Sequence, residues 1–181
     1  MPERQRRATV SIGFPVAAEQ VWVALTDFPR MHGWFVGVRQ VRIVEGGAPR
    51  VGAHRSVRFL GGHRATELIT WWEPPTLAVR GATGVARSDS RGGVQGSFRL
   101  RLRDGTRLAA STDIDVAVRG TPLRSRVRWQ IAYQPRYGVY GQALGWALAT
   151  PLLRSAVGVS LRRLRRRLRR GRRRAQPVAA V

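Results

Sequence analysis

The sequence predicts an α+β domain in which a curved antiparallel sheet wraps around a long C-terminal helix. Three observations predict it. An alternating strand near the N-terminus leads into two short helical segments; a long succession of strand-like runs follows, punctuated by Gly and Pro; and the chain closes on an apolar stripe at helical spacing.

Val10, Ile12 and Phe14 alternate with small or polar residues, the period of a strand with one buried face, and Pro15 ends the run. Residues 18 to 26 place Val21, Trp22 and Leu25 at helical spacing, and Asp27 is placed to cap a second short helix reaching Trp34. Strand-like segments then occupy 38–45, 51–60, 63–73, 76–84, 93–103 and 106–118. A further run at 124–134 makes the count seven or eight.

Around Arg103-Asp104-Gly105, alternation decides between two turns. Gly96, Phe98, Leu100 and Leu102 share one face of the first arm, and Leu108, Ala110, Thr112, Ile114 and Val116 share one face of the second. A two-residue turn would throw these apolar sets to opposite sides. A three-residue loop with Gly105 left-handed pairs Leu100 with Leu108 and keeps them together. The outer face then carries Arg99, Arg101, Arg103 and Arg107, with Asp113 and Asp115 balancing arginines there. A tight Gly61-Gly62 turn sets His63 opposite Leu60, and the inner sets on other strands become Val57 and Phe59; Leu68, Thr70 and Trp72; Leu77 and Val79; and Val127, Trp129, Ile131 and Tyr133.

Thr150-Pro151 suits a helix start, and Leu152, Ala156, Val159, Leu161, Leu164 and Leu168 fall near one stripe. Gly171 is placed to end the helix. The domain therefore spans 8–170, between a flexible segment 1–7 and a disordered tail 171–181. Tyr137 to Leu153 carries no charge, but three Gly, Gln142 and Pro151 make it short and poorly helical as a membrane span. A core-facing or amphipathic segment suits it better.

Val21-Trp22, Thr26-Asp27, Trp34, Val51-Gly52, Thr66-Glu67-Leu68-Ile69-Thr70, Glu73-Pro74-Pro75 and Gly105-Thr106 stand in an order that resembles the helix-grip fold of the START/Bet v 1-like (SRPBCC) superfamily, in its bacterial polyketide cyclase/dehydrase-like branch. The resemblance covers about residues 8 to 170. It implies a cavity between sheet and terminal helix for lipids, sterols, polyketides or other hydrophobic ligands. It does not imply a reaction, because such folds host binders, transporters and enzymes alike. The usual count of seven strands leaves the run at Val127–Tyr133 as an extended last pairing or an extra edge strand.

Composition removes several chemistries. The 181 residues contain no Cys, which excludes disulfides, thiolate nucleophiles and Cys-based metal sites, and suits a reducing, cytoplasmic setting. All 33 basic residues are Arg, so a P-loop lysine, a Schiff-base lysine and a lysine base are excluded. An Arg-for-Lys codon bias explains this without a selected role. His32, His54 and His63 form no metal set, and no metal or cofactor is expected.

Mid-strand Glu67 is the one weak catalytic candidate. Its alternation with Leu68 points it outward, toward an arginine such as Arg58. The expected cavity wall is Trp34, Phe59, Thr66, Leu68, Thr70, Trp72, Val79, Phe98, Leu100, Thr112, Ile114, Trp129, Tyr133, Leu152 and Ala156, with the three Thr and Tyr133 able to orient a ligand.

Net charge is +23, and residues 154–174 hold eleven Arg and no acid. Arg162, Arg163, Arg165, Arg166, Arg167, Arg169 and Arg170 suit an anionic membrane surface, with the adjoining apolar half-helix as insertion face; a solvated tail is the alternative. Nucleic acid would bind nonspecifically, since the tail has no stacking platform or reading motif. These features suggest a carrier or sensor of a hydrophobic small molecule, cytoplasmic or peripheral to the inner membrane face. A polyketide cyclase/dehydratase using the same cavity is the second reading. Either a monomer or a homodimer is compatible with the sequence.

Overall fold

Seven antiparallel strands form one sheet in the order β1-β7-β6-β5-β4-β3-β2 in the computed structural model of the chain. It describes residues 5–44, 47–76, 93–104, 109–135 and 149–175. The strands are β1 Arg6–Phe14, β2 Val38–Ile43, β3 His54–Phe59, β4 Arg64–Thr76, β5 Val94–Asp104, β6 Ala109–Gly120 and β7 Ser125–Pro135. β1 and β2, successive in sequence, lie at opposite edges of the sheet. Helix α1, Ala18–Thr26, and a 3₁₀ helix, Phe28–Gly33, cross between them. The second helix, α2, is Thr150–Ala175 and packs along β1.

The run at 124–134 is therefore an internal strand, β7, paired with β1 on one side and β6 on the other. β1 starts within the segment expected to be flexible. The predicted strand 76–84, with Leu77 and Val79, falls almost wholly outside the described residues.

Two registers depart from expectation, and both have local causes. Phe59 opposes His63, donating its N–H to the His63 carbonyl (2.8 Å), so the β3–β4 loop is Leu60-Gly61-Gly62 and not Gly61-Gly62 alone. Gly61 (φ 89°) and Gly62 (φ 84°) supply the left-handed backbone this needs. One residue more in the loop moves the pairing to Val57 with Ala65 and Arg55 with Glu67, which turns the first half of β4 over. Ala65, Glu67 and Ile69 face inward, and Thr66, Leu68 and Thr70 face outward. A bulge between Ile69 and Trp71 then resets the phase, so that Trp72 opposes Phe98 and returns to the core.

On β5–β6, Leu100 opposes Ile114, six residues further along than the expected Leu108. Because the displacement is even, Phe98, Leu100, Ile114 and Val116 still share one face. The same register sets Arg99 opposite Asp115 and Arg101 opposite Asp113, and both pairs are hydrogen-bonded on the outer face. Cross-strand charge pairing thus favours the observed alignment. The loop around Gly105 lies outside the described residues.

Helix boundaries also shift. Asp27 occupies the N-cap position of the 3₁₀ helix without a side-chain cap and instead meets Arg30 (3.5 Å). α2 runs through Gly171 to Ala175. A lone helical Gly costs about 1 kcal/mol and is not by itself a stop. Val157, Leu161 and Leu164 are buried, whereas Leu152 is 66% exposed. Nine residues at about 100° each place Leu152 on the opposite side from Leu161, which removes it from the stripe.

Candidate functional site

The inward face of the sheet is apolar along β5, β6 and β7: Phe98 and Leu100, Ile114 and Val116, and Val127, Trp129 and Ile131 alternate with outward polar residues. Two aromatic groups stand on it. Under α1 and the 3₁₀ helix, Trp22 meets Trp72 (5.2 Å between centroids) and Phe98 (5.6 Å), and Phe28 meets Phe98 (6.1 Å). Nearer the other edge, Phe35 lies against Trp34 (5.6 Å) and Trp129 (5.4 Å). Trp34, Phe98, Leu100, Trp129 and Tyr133 are buried in the core, and Phe59, Trp72 and Ile114 pack partly buried against it. Thr112 shares the Ile114 face of β6 and is half-buried.

Thr66, Leu68 and Thr70 do not belong to this wall, because the lengthened loop turns them outward; Thr70 instead reaches the Arg99 carbonyl. Leu152 projects away, and Val79 lies outside the described residues. Ala156 is half-buried one turn before Ser160.

Reversal of β4 brings Glu67 into the core. It is 4% exposed and accepts a hydrogen bond from Nε of Arg55, itself 2% exposed and directly opposite on β3. The Arg55 guanidinium lies over the Phe28 ring (4.4 Å), with one terminal nitrogen 3.9 Å from the Met31 sulfur. Glu67 thus pairs with Arg55 and not with an outer arginine such as Arg58. Arg55 was legible only through parity: it lies between Ala53 and Val57 on a buried alternation, opposite an acid, but that requires the correct loop length.

Among the described residues, a side-chain hydrogen bond at Ser160 ties α2 to the segment after the 3₁₀ helix. Ser160, fully buried, accepts the Val36 N–H (2.9 Å) and donates to the Ala156 carbonyl (2.6 Å). At the start of α2, Thr150 and Tyr133 share a buried hydroxyl–hydroxyl hydrogen bond (2.7 Å). Beyond Leu164, Arg165, Arg166, Arg167, Arg169 and Arg170 are exposed, as are Arg162 and Arg163. No helix among the described residues is long and apolar enough to cross a membrane.

On the outer face, charges pair across strands. The side-chain hydrogen bond to Asp113, then that carboxylate's charge, raises the Arg101 pKa above its ordinary value and keeps the group cationic. His32 is exposed and bonded to the Pro29 carbonyl (2.9 Å), and His63 tilts against Phe59. Among the described residues, no three His, Asp or Glu side chains gather to hold a metal. A cleft of about 820 Å³, open to solvent, separates the 3₁₀ helix from β2 and is lined by Asp27, His32, Arg39 and Arg42 among others. Among the described residues, none of the predicted wall residues lines it.

Among solved structures, the chain is similar to a START superfamily protein from Mycobacterium smegmatis (11% identity, TM-score 0.57, covering 90% of this chain and 93% of that one). It is also similar to a Thalictrum norcoclaurine synthase point mutant in complex with a transition-state analogue (11%, TM-score 0.57, 91% and 97%). A third similar structure is a protein from Thermus thermophilus (12%, TM-score 0.62, 92% and 99%). At such identities the likeness establishes the fold, which is the helix-grip fold of the START/Bet v 1 superfamily. No curated protein matches the chain in sequence. The family model described as "polyketide cyclase / dehydrase and lipid transport" matches residues 5–169. Together the fold and this match indicate a hydrophobic-ligand-binding type of domain, and the chain belongs to the polyketide cyclase / dehydrase and lipid transport family.

Proposed function

We propose that this chain holds a hydrophobic small molecule between the concave sheet and α2, acting as a carrier or sensor. The observation that carries the reading is Gly158. It is buried on α2, yet a methyl group built there would meet no described atom within 4 Å. Protein interiors are close-packed, so a buried backbone with no neighbour at that distance among the described residues supports room for a ligand there. The inward face of the sheet, with Phe98, Leu100, Ile114 and Trp129, is apolar, which suits a hydrophobic ligand.

Carriage is favoured over turnover by the state of Glu67. This buried acid is committed to an ion pair with the equally buried Arg55, so its carboxylate is already occupied by a protein partner. A cyclase or dehydratase would need Glu67 released from its partner. The exposed arginines of α2 support docking at an anionic membrane surface, each contributing about 1 kcal/mol there; nonspecific nucleic-acid binding is the competing use of the same charges.

Native mass spectrometry of the purified protein, with organic extraction of what it carries, tests the reading. A co-purifying lipid or polycyclic molecule is expected. Protein that is empty from its source and takes up nothing from lipid or polyketide extracts would contradict it.

A further inference from the structure

The indole N–H of Trp129 is, with Nε of Arg6 and Nε of Arg58, one of the buried side-chain polar groups that lack a hydrogen-bond partner among the described residues, and it alone of these stands on the apolar inward face. Trp129 is 2% exposed, and its Nε1 is shut off from solvent without a hydrogen-bond partner among the described residues. Its cross-strand neighbours are Val10 on β1 and Val116 on β6, and its ring neighbours are Trp34 and Phe35. None of these side chains has an oxygen to offer. The edge-to-face approach to Trp34, 6.5 Å between centroids, provides at most a weak N–H···π contact and leaves the donor available to a better acceptor. Buried indoles ordinarily find a partner, so an orphan one on a ligand-binding face asks for an explanation.

We infer that Trp129 selects ligands carrying a neutral oxygen acceptor, a carbonyl or ether, on an otherwise apolar body, by donating its indole N–H to that oxygen. This inference rests on the cavity reading above. Hydrocarbons of the same shape leave the donor unpaired and bind less well. A carboxylate is disfavoured, because one indole N–H does not offset the burial of a full charge and the buried guanidinium of Arg55 is already held by Glu67.

Two probes of matched shape separate the possibilities: 2-acetylnaphthalene, which has a carbonyl, and 2-ethylnaphthalene, which has none. The intact protein is labelled with ¹⁵N, its six Trp indole resonances are assigned, and each probe is titrated into wild type and Trp129→Phe. In wild type the ketone is expected to bind roughly three- to tenfold tighter than the hydrocarbon, and to move the Trp129 indole proton downfield. Trp129→Phe should bind both probes equally. Equal wild-type affinities with an unmoved Trp129 resonance would overturn the inference and leave the cavity standing. Failure of both probes to bind wild type would overturn the cavity reading and this inference with it. The wild-type resonance decides the matter even if the variant does not fold.

Discussion

Arg55 and Glu67 face each other across β3 and β4 and hydrogen-bond inside the core, with the guanidinium stacked on Phe28. Removing one member of a buried pair strands the other charge, at a cost of about 3–5 kcal/mol, whereas replacing both with apolar residues of similar size can be neutral. Glu67→Gln and Arg55→Met should each lose much of that stability in urea denaturation, and Arg55→Met combined with Glu67→Leu should recover most of it. Strongly additive losses in the double variant would show that the two residues act separately.

Ser160 is the hydrogen-bonded link between α2 and the segment leading into β2. Ser160→Ala deletes the acceptor for the Val36 N–H and should destabilise the protein by about 1–3 kcal/mol. Amide hydrogen exchange at Val36 should accelerate in step with that loss. Unchanged exchange there would mean that another group takes over the bond.

The β3–β4 loop fixes which face of β4 is buried. At Gly61 and Gly62 the backbone is left-handed, so alanine at either site should lower stability by about 1–2 kcal/mol. Gly171→Ala, inside α2 with no neighbour within 4 Å among the described residues and without a left-handed φ, should instead be neutral or stabilising by up to about 1 kcal/mol. Calorimetry on the three variants checks the contrast.

Flotation with vesicles tests the cationic half of α2. Replacing Arg165, Arg166, Arg169 and Arg170 with Gln leaves the buried Leu161 and Leu164 in place. Each substitution should weaken binding to phosphatidylserine-containing vesicles by about 1 kcal/mol at low salt, with little effect on neutral vesicles. Equal flotation of wild type and variant would remove the membrane role.

Most of the architecture was legible because strand alternation and the α2 stripe are periodic signals summed over many residues. The inner sets of β5, β6 and β7 follow directly from them. What was not legible came from single-residue events. One extra loop residue at Leu60 reversed Thr66, Glu67, Leu68 and Thr70, and one bulge near Thr70 restored Trp72. The β5–β6 offset preserved parity, so the faces were right while the partners were wrong. Gly158 and Ser160 lie between the large apolar residues that define the stripe. Composition gives no sign that one leaves space and the other accepts an N–H.

Room beside Gly158 is the central claim, and filling it is the direct test. Titration of the neutral fluorophore N-phenyl-1-naphthylamine into wild type should give saturable, blue-shifted emission. Gly158→Phe, whose ring would occupy the proposed space, should stay folded and lose that binding. Equal binding by the two folded proteins, or no saturable binding by wild type, would contradict the account.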